Sequence, residues 1–201
     1  LAQAIGMEKV IRTCRDLGLR TPLQPYTSTA LGASEVRLLA LADAYRAMAS
    51  GILAEPHIID RVTDASGGVL YEAPRAEIYI GSTHLSLIQE GLRGVVRLPE
   101  GTAHSLDSRD FPVPVMGKTG TTSDNRDVHA YGYLAPPKDK DDPALVVGVW
   151  MGNSDASPVS GSGNSVFSLD AAAPLWQAIM NEVTRDWRIN DYAVFGVGAV
   201  L

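Results

Sequence analysis

Met7, Val10, Ile11, Cys14 and Leu17 recur at the spacing that places side chains on one helix face, with Lys9, Arg12, Arg15 and Asp16 between them. This pattern predicts an amphipathic opening helix ended by Gly18. No Ser, Thr, Asp or Asn caps it ahead of Leu1, so the chain is expected to begin inside a larger domain. A second helix is predicted over Glu35 to Ser50, capped by Ser34, burying Val36, Leu39, Ala40 and Met48, and closed by Gly51 with Pro56 beyond. The runs His57 to Thr63 and Val69 to Glu72 are β-prone and flank Asp64-Ala65-Ser66-Gly67-Gly68, which reads as a hairpin. A third helix is expected from near Thr83 to about Leu98, with Leu85, Ile88, Leu92, Val95 and Val96 on one face and Pro99 as its stop.

The pattern then changes. Phe111 to Thr122, Val128 to Leu134 and Ala144 to Met151 are β-prone, and the proline-bounded loop from Pro136 to Pro143 joins the last two as an expected antiparallel hairpin. The glycine- and serine-rich stretch Ser157 to Ser165 reads as a surface loop. A last amphipathic helix is predicted from about Leu169 to Val183, with Pro174 near its first turn. Positions 1–185 are read as one unit and 186–201 as a tail of unknown role.

Composition narrows the function classes. The chain has 201 residues, 45% hydrophobic and 20% charged, the profile of one folded domain or part of one. A formal charge of -6 and no run of Lys or Arg argue against a general nucleic-acid binder, which needs clustered cations to displace counterions from phosphate. The apolar stretch Ala144 to Met151 is far shorter than the roughly 20 residues a spanning helix needs. No membrane segment is predicted, and Leu1 to Gly6 does not read as a signal peptide. Cys14 is the only cysteine, so no internal disulfide forms. His57, His84 and His104 lack metal-ligand spacing, and neither metal nor cofactor is expected.

The sharpest local feature is Gly117-Lys118-Thr119-Gly120-Thr121-Thr122. Pro112 and Pro114 just before it cannot donate to a sheet ladder, which points to an edge strand. Such an edge can receive an extended peptide through backbone hydrogen bonds. Gly120 permits close approach of another backbone, and Thr119 and Thr121, two apart, share one strand face. Two hydroxyls beside one ammonium suit a carboxylate. A nucleotide-binding P-loop is excluded, because its first glycine would fall at Pro112.

Lys118-Thr119-Gly120-Thr121-Thr122, then Asp127, Tyr131-Gly132-Tyr133-Leu134-Ala135-Pro136 and Gly148-Val149-Trp150-Met151-Gly152-Asn153, resembles the third motif and following hairpin of class A (bifunctional) penicillin-binding proteins. The likeness is collinear. Upstream it takes in Leu31 to Val36, Ala44-Tyr45, Pro56 to Val62, Val95-Val96 and Gly101-Thr102-Ala103, and downstream Ala172-Ala173-Pro174-Leu175-Trp176. The resemblance implies a mixed α/β (α+β) penicillin-binding protein/β-lactamase-like transpeptidase fold, an antiparallel sheet flanked by helices, incomplete at the N-terminal side. It implies a serine DD-transpeptidase that crosslinks peptidoglycan by acyl transfer. Lys118 would belong to the active-site hydrogen-bond network, and Thr119, Gly120, Thr121 and Thr122 to the substrate-binding strand. The Thr121 N–H would be one oxyanion donor. Peptidoglycan stem peptides and β-lactams are the implied ligands, the missing N-terminal half of the domain the implied partner, and an extracytoplasmic, membrane-anchored parent the implied setting.

One element of that family is absent from the sequence. The residues three before the four lysines, Lys9, Lys118, Lys138 and Lys140, are Gly6, Val115, Ala135 and Pro137, so there is no Ser-x-x-Lys. Ser123-Asp124-Asn125 spells the second motif, but it follows Lys-Thr-Gly where the family places it before, and it reads as coincidence, as does Ser162-Gly163-Asn164. The expectation is a chain that holds substrate but forms no acyl-enzyme alone. A related β-lactamase or DD-carboxypeptidase portion, or a non-catalytic module that binds peptide stems, are the alternatives. His129 stands where the family usually has a bulky aromatic and is expected to pack as one rather than act as a base. Trp150, Trp176 and Trp187 are expected as core or interface aromatics. Gly152 to Ala156 is no hydrolase elbow, since Pro158 follows where a helix should start.

Overall fold

The structure, a computed structural model, describes residues 1–74, 77–78, 82–106, 114–135, 137–139, 142–161 and 163–188. The opening consists of α1 (Ala2–Ile5) and α2 (Met7–Asp16), broken at Gly6, where φ is 89°. Ile11 is the buried residue of α2, and Gly18 ends the segment with φ 94° as expected. A short 3-10 turn at Thr27–Leu31 precedes α3 (Leu38–Ser50).

The predicted start of α3 is corrected by the structure. Ser34 is not its cap: the Ser34 hydroxyl lies 2.9 Å from that of Thr29, and Arg37 occupies the N-cap position without a side-chain bond. The buried face also differs, carrying Asp43, Ala44 and Ala47, while Leu39 is exposed. Asp43 tolerates burial because it is paired: Arg46 Nε donates to its Oδ1 at 2.8 Å. The same guanidinium donates to the Ala54 carbonyl at 2.6 Å, tying the C-terminal end of α3 to the chain that follows. Gly51 closes the helix with φ 72°, as predicted.

Among the described residues, three small antiparallel ladders lie outside the main sheet. β1 (Ile52–Leu53) pairs with β4 (Glu77–Ile78), and β2 (Arg61–Thr63) with β3 (Val69–Glu72) around the predicted Asp64–Gly68 turn. Asp64 holds that turn by accepting from the N–H groups of Ser66 and Gly68, both at 2.8 Å. The stretch read as a surface loop contains the third ladder, β8 (Ser160–Gly161) against β9 (Asn164–Ser165). α4 (Ser82–Arg97) matches the third predicted helix within a residue.

The core is the three-stranded antiparallel sheet β5 (Val115–Thr121), β6 (Asp127–Leu134) and β7 (Val146–Gly152), in that order. The β6–β7 hairpin is as predicted, and β5 covers the described part of the first β-prone run; Phe111 to Val113 lie outside the described residues. In register, Gly117 faces Gly132, and both are bare for one reason. The indole of Trp176 on α5 (Ala172–Thr184) packs onto them, 3.1 Å from where a Gly117 Cβ would stand and closer still at Gly132, where the Met116 carbonyl also crowds. Trp176, Ala172, Ala173 and Met180 are buried against this face. Tyr131 and Tyr133 sit on the other face, where Tyr45 of α3 stacks on Tyr131 at 5.4 Å between ring centroids. Sequence placed the last helix at about Leu169; it starts at Ala172, because Ser168–Asp170 forms a 3-10 turn.

Gly132→Ala should therefore destabilise the protein by about 3 kcal/mol, since the methyl meets both an indole and a backbone carbonyl. Urea denaturation followed by tryptophan fluorescence measures it. Gly91→Ala, an open position on α4, should not reproduce the loss.

Candidate functional site: the outer edge of β5

Hydrogen bonding to β6 decides which side of β5 each peptide group serves. Thr122 N–H donates to the Asp127 carbonyl at 3.0 Å, and Ala135 N–H to the Pro114 carbonyl at 2.8 Å. Even-numbered positions of β5 therefore exchange bonds with β6. Alternation turns the N–H and C=O groups of Gly117, Thr119 and Thr121 to the other side, where no strand lies among the described residues. The candidate site is this outward row of peptide groups and the side chains around it.

Lys118 is exposed, and its Nζ donates to the outward Thr119 carbonyl at 2.7 Å. Strand alternation puts its Cβ on the face opposite Thr119 and Thr121, but the long stem brings the ammonium round to the edge. Thr119 and Thr121 share a face as expected. The Thr119 hydroxyl lies 3.0 Å from that of Thr102. Thr121 Oγ1 accepts from the Ser168 N–H at 3.1 Å, which leaves its own proton available to an outside acceptor. Ser168 in turn donates through Oγ to the His129 carbonyl at 2.6 Å. Thr122 is turned inward to the β5–β6 connection: its Oγ1 accepts from the Asp127 N–H at 2.8 Å and faces Asp127 Oδ2 at 3.3 Å.

Gly120 is bare because of a side chain. A Cβ there would run into the His129 ring, whose Nε2 is the nearest atom. His129, the β6 partner of Gly120, thus reaches across the inter-strand gap and seats its tip on the edge strand. Its ring meets Tyr131 edge-on, 5.7 Å between centroids at 67°. Packing in place of an aromatic is what the structure shows. Burial lowers the imidazole pKa, Asp127 opposes that, and Lys118 adds to it. Burial pushes Tyr45 and Tyr131 up to about 12, so both phenols stay neutral beside this strand.

Asp127 is itself anchored, accepting from Trp150 Nε1 at 2.9 Å. Ser123-Asp124-Asn125 is the connection between β5 and β6, with Asp124 at φ 60° and Asn125 at φ 54°. Asn125 Nδ2 donates to the Val166 carbonyl at 2.9 Å and so fastens the turn to the Ser168 segment. Thr102 and Ser168 were not singled out from the sequence as site residues. They stand 17 and 47 positions from the threonines they touch, and no local pattern links them.

Residues 20–181 match the model of the penicillin binding protein transpeptidase domain. The chain belongs to the penicillin-binding protein transpeptidase family. It is 33% identical over 194 residues to penicillin-binding protein 1A of Aquifex aeolicus, covering 96% of this chain and 24% of that protein. It is 29% identical over 191 residues to penicillin-binding protein 2D of Bacillus subtilis, covering 90% of this chain and 25% of that one. The chain thus spans about a quarter of the length of these curated relatives. The crystal structure of penicillin-binding protein 1A from Haemophilus influenzae superposes with a TM-score of 0.75 at 21% identity, over 96% of this chain and 33% of that one. The D,D-transpeptidase domain of a peptidoglycan glycosyltransferase from Eggerthella lenta gives 0.55 at 19% identity, over 90% and 49%. These likenesses establish the transpeptidase fold expected from the sequence, a mixed fold of antiparallel sheet and helices.

Within this penicillin-binding protein fold, Gly120→Ala should lift His129 off β5. Its pKa should then rise toward the ordinary value of about 6.5, because the burial that depresses it is relieved. NMR titration of the imidazole measures the rise. An unchanged pKa would mean that Gly120 does not determine the ring's seat.

Proposed function

We propose that this chain provides the substrate-holding strand of a peptidoglycan DD-transpeptidase. The supporting observation is the one-sided bonding of β5: among the described residues no strand pairs with its outer side, where the Thr119 and Thr121 peptide groups point, and the Lys118 ammonium caps the Thr119 carbonyl at 2.7 Å. An extended stem peptide would add to this edge as a further strand. Its terminal carboxylate would meet Lys118 and the hydroxyls of Thr119 and Thr121. Charge-assisted hydrogen bonds of this kind are roughly twice as strong as neutral ones.

In the acyl-transfer step, serine attack on the penultimate D-alanine carbonyl makes a tetrahedral oxyanion. The outward Thr121 N–H would donate to it, with a second donor from the segment that carries the nucleophile. Collapse of the intermediate forms the serine ester and releases D-alanine, and an amine of a neighbouring stem then takes the acyl group. Gly120 serves by letting His129 and the edge strand come together. Thr122 serves by closing the turn through Asp127, and so holds Thr121 in register.

No Ser-x-x-Lys occurs in the sequence, so the attacking serine and its lysine would come from the other half of the domain, the partner of this chain. The same absence favours a second reading for the isolated chain, a module that binds stems or β-lactams without acylation. In the whole protein the reaction would take place outside the cytoplasm, at the cell wall, with membrane attachment supplied by other segments. Among the described residues, no helix is long and apolar enough to cross a membrane.

Titration of the chain with N-acetyl-D-alanyl-D-alanine, followed by amide shifts, should move Thr119 and Thr121. Thr119→Val should weaken binding about tenfold, the loss of one charge-assisted hydrogen bond. No shift in the parent chain, or no loss in the variant, would contradict the proposal. Fluorescent penicillin should leave no label that survives denaturation; a covalent label would show a nucleophile within this chain.

A further inference from the structure

His129 packs as a ring against Tyr131, yet its position exceeds what packing needs. Neither ring nitrogen has a hydrogen-bond partner among the described residues, and the residue keeps partial solvent exposure. Nε2 is the ring atom nearest the place where a Gly120 Cβ would stand, so the polar tip, not the carbon edge, overlies the edge strand. Lys118, two residues from Gly120, projects from the same face and is diagonal to His129 in the β5–β6 register. A phenyl ring at this position would fill the same space without a polar tip.

We propose that His129 is a ligand-binding member of this edge, a titratable donor over Gly120 that strengthens capture of a peptide's anionic end when the ring is protonated. This rests on the proposed reading of β5 as the strand that holds a carboxylate-terminated peptide. The charged and titratable groups facing the ring are Lys118 from β5 and Asp127 and Tyr131 from β6; β7 places the uncharged Trp150 opposite it. Asp127 is engaged by Trp150 Nε1 and the Thr122 hydroxyl, so it does not hold the imidazole in a fixed ion pair. Tyr131 stays neutral.

The sign follows from linkage. In the free protein burial lowers the imidazole pKa, with Lys118 adding to the effect and Asp127 opposing it. A carboxylate arriving at Lys118 offsets that cation and favours the imidazolium, so binding takes up a proton. Affinity should therefore rise as pH falls through the pKa of the liganded ring and level off below that of the free ring. An added unit charge near the surface supports a gain of about fivefold.

The test is NMR titration of the 201-residue chain with N-acetyl-D-alanyl-D-alanine at pH 5 and pH 8, with N-acetyl-D-alanyl-D-alaninamide as the neutral-ended control. The carboxylate peptide should bind about fivefold more tightly at pH 5, and the amide equally at both. His129→Phe keeps a ring over Gly120 and should bind the carboxylate peptide with no pH dependence. A wild-type pH dependence surviving in His129→Phe, or none in the wild type, overturns the inference. Should the variant fail to fold, the imidazole pKa in the wild type decides: saturation with the carboxylate peptide must raise it, and an unmoved value is equally fatal. Thr119→Val separates the two layers. If that variant binds like the wild type, or the wild type binds at neither pH, the edge-strand reading itself fails, and this inference with it.

Discussion

Among the described residues β5 is bonded to a neighbouring strand on one side only, and the chemistry proposed for this protein depends on that asymmetry. The bonds of Thr122 to Asp127 and Ala135 to Pro114 set the parity of the whole strand. Once they are made, Thr119 and Thr121 have no choice about where their peptide groups point. A shift of one residue would bring Lys118 and Gly120 to the outside and turn both threonine amides inward. Register is thus the link between packing and function, and the rest of the fold can be understood by how it holds that register.

Two contacts from opposite faces do so. Trp176 occupies the hollow left by Gly117 and Gly132, a paired position that no slipped register would reproduce. On the other face, Tyr45 stacks on Tyr131, directly opposite Lys118 in the β5–β6 pairing. At the end of the strand, the turn is pinned by Thr122 to Asp127 and by Asn125 to Val166, and Ser168 joins Thr121 to the His129 carbonyl. An unpaired edge invites aggregation. Here Lys118 covers one outward carbonyl with its charge.

Much of this was legible in the sequence where the determinants are local. Gly18 and Gly51 end their helices as their conformations require, and Asp64 organises the hairpin turn from within five residues. The alternation of β5 and β6 was readable too, and the collinear motifs pointed to the right family. What failed was set by contacts between distant positions. Ser34 has the chemistry of a helix cap, yet its hydroxyl is drawn to Thr29, and α3 starts later. The apolar face expected to include Leu39 yielded to one built on Asp43, because Arg46 neutralises a carboxylate that the helix pattern counts as exposed. Within the site, the letters Lys-Thr-Gly located the strand, but Thr102 and Ser168 come to it only through the fold. The role of Gly120 was half visible: its missing Cβ signalled close approach of another backbone, whereas the group that approaches among the described residues is the His129 side chain.

Amide hydrogen exchange along β5, read residue by residue by NMR, bears most directly on whether this edge is free. Slow exchange is expected at Lys118, Gly120 and Thr122, alternating with fast exchange at Thr119 and Thr121. Equal protection of Thr119 and Thr121 in the unliganded chain would mean that the outer side of β5 is already occupied, and the strand could not receive a substrate.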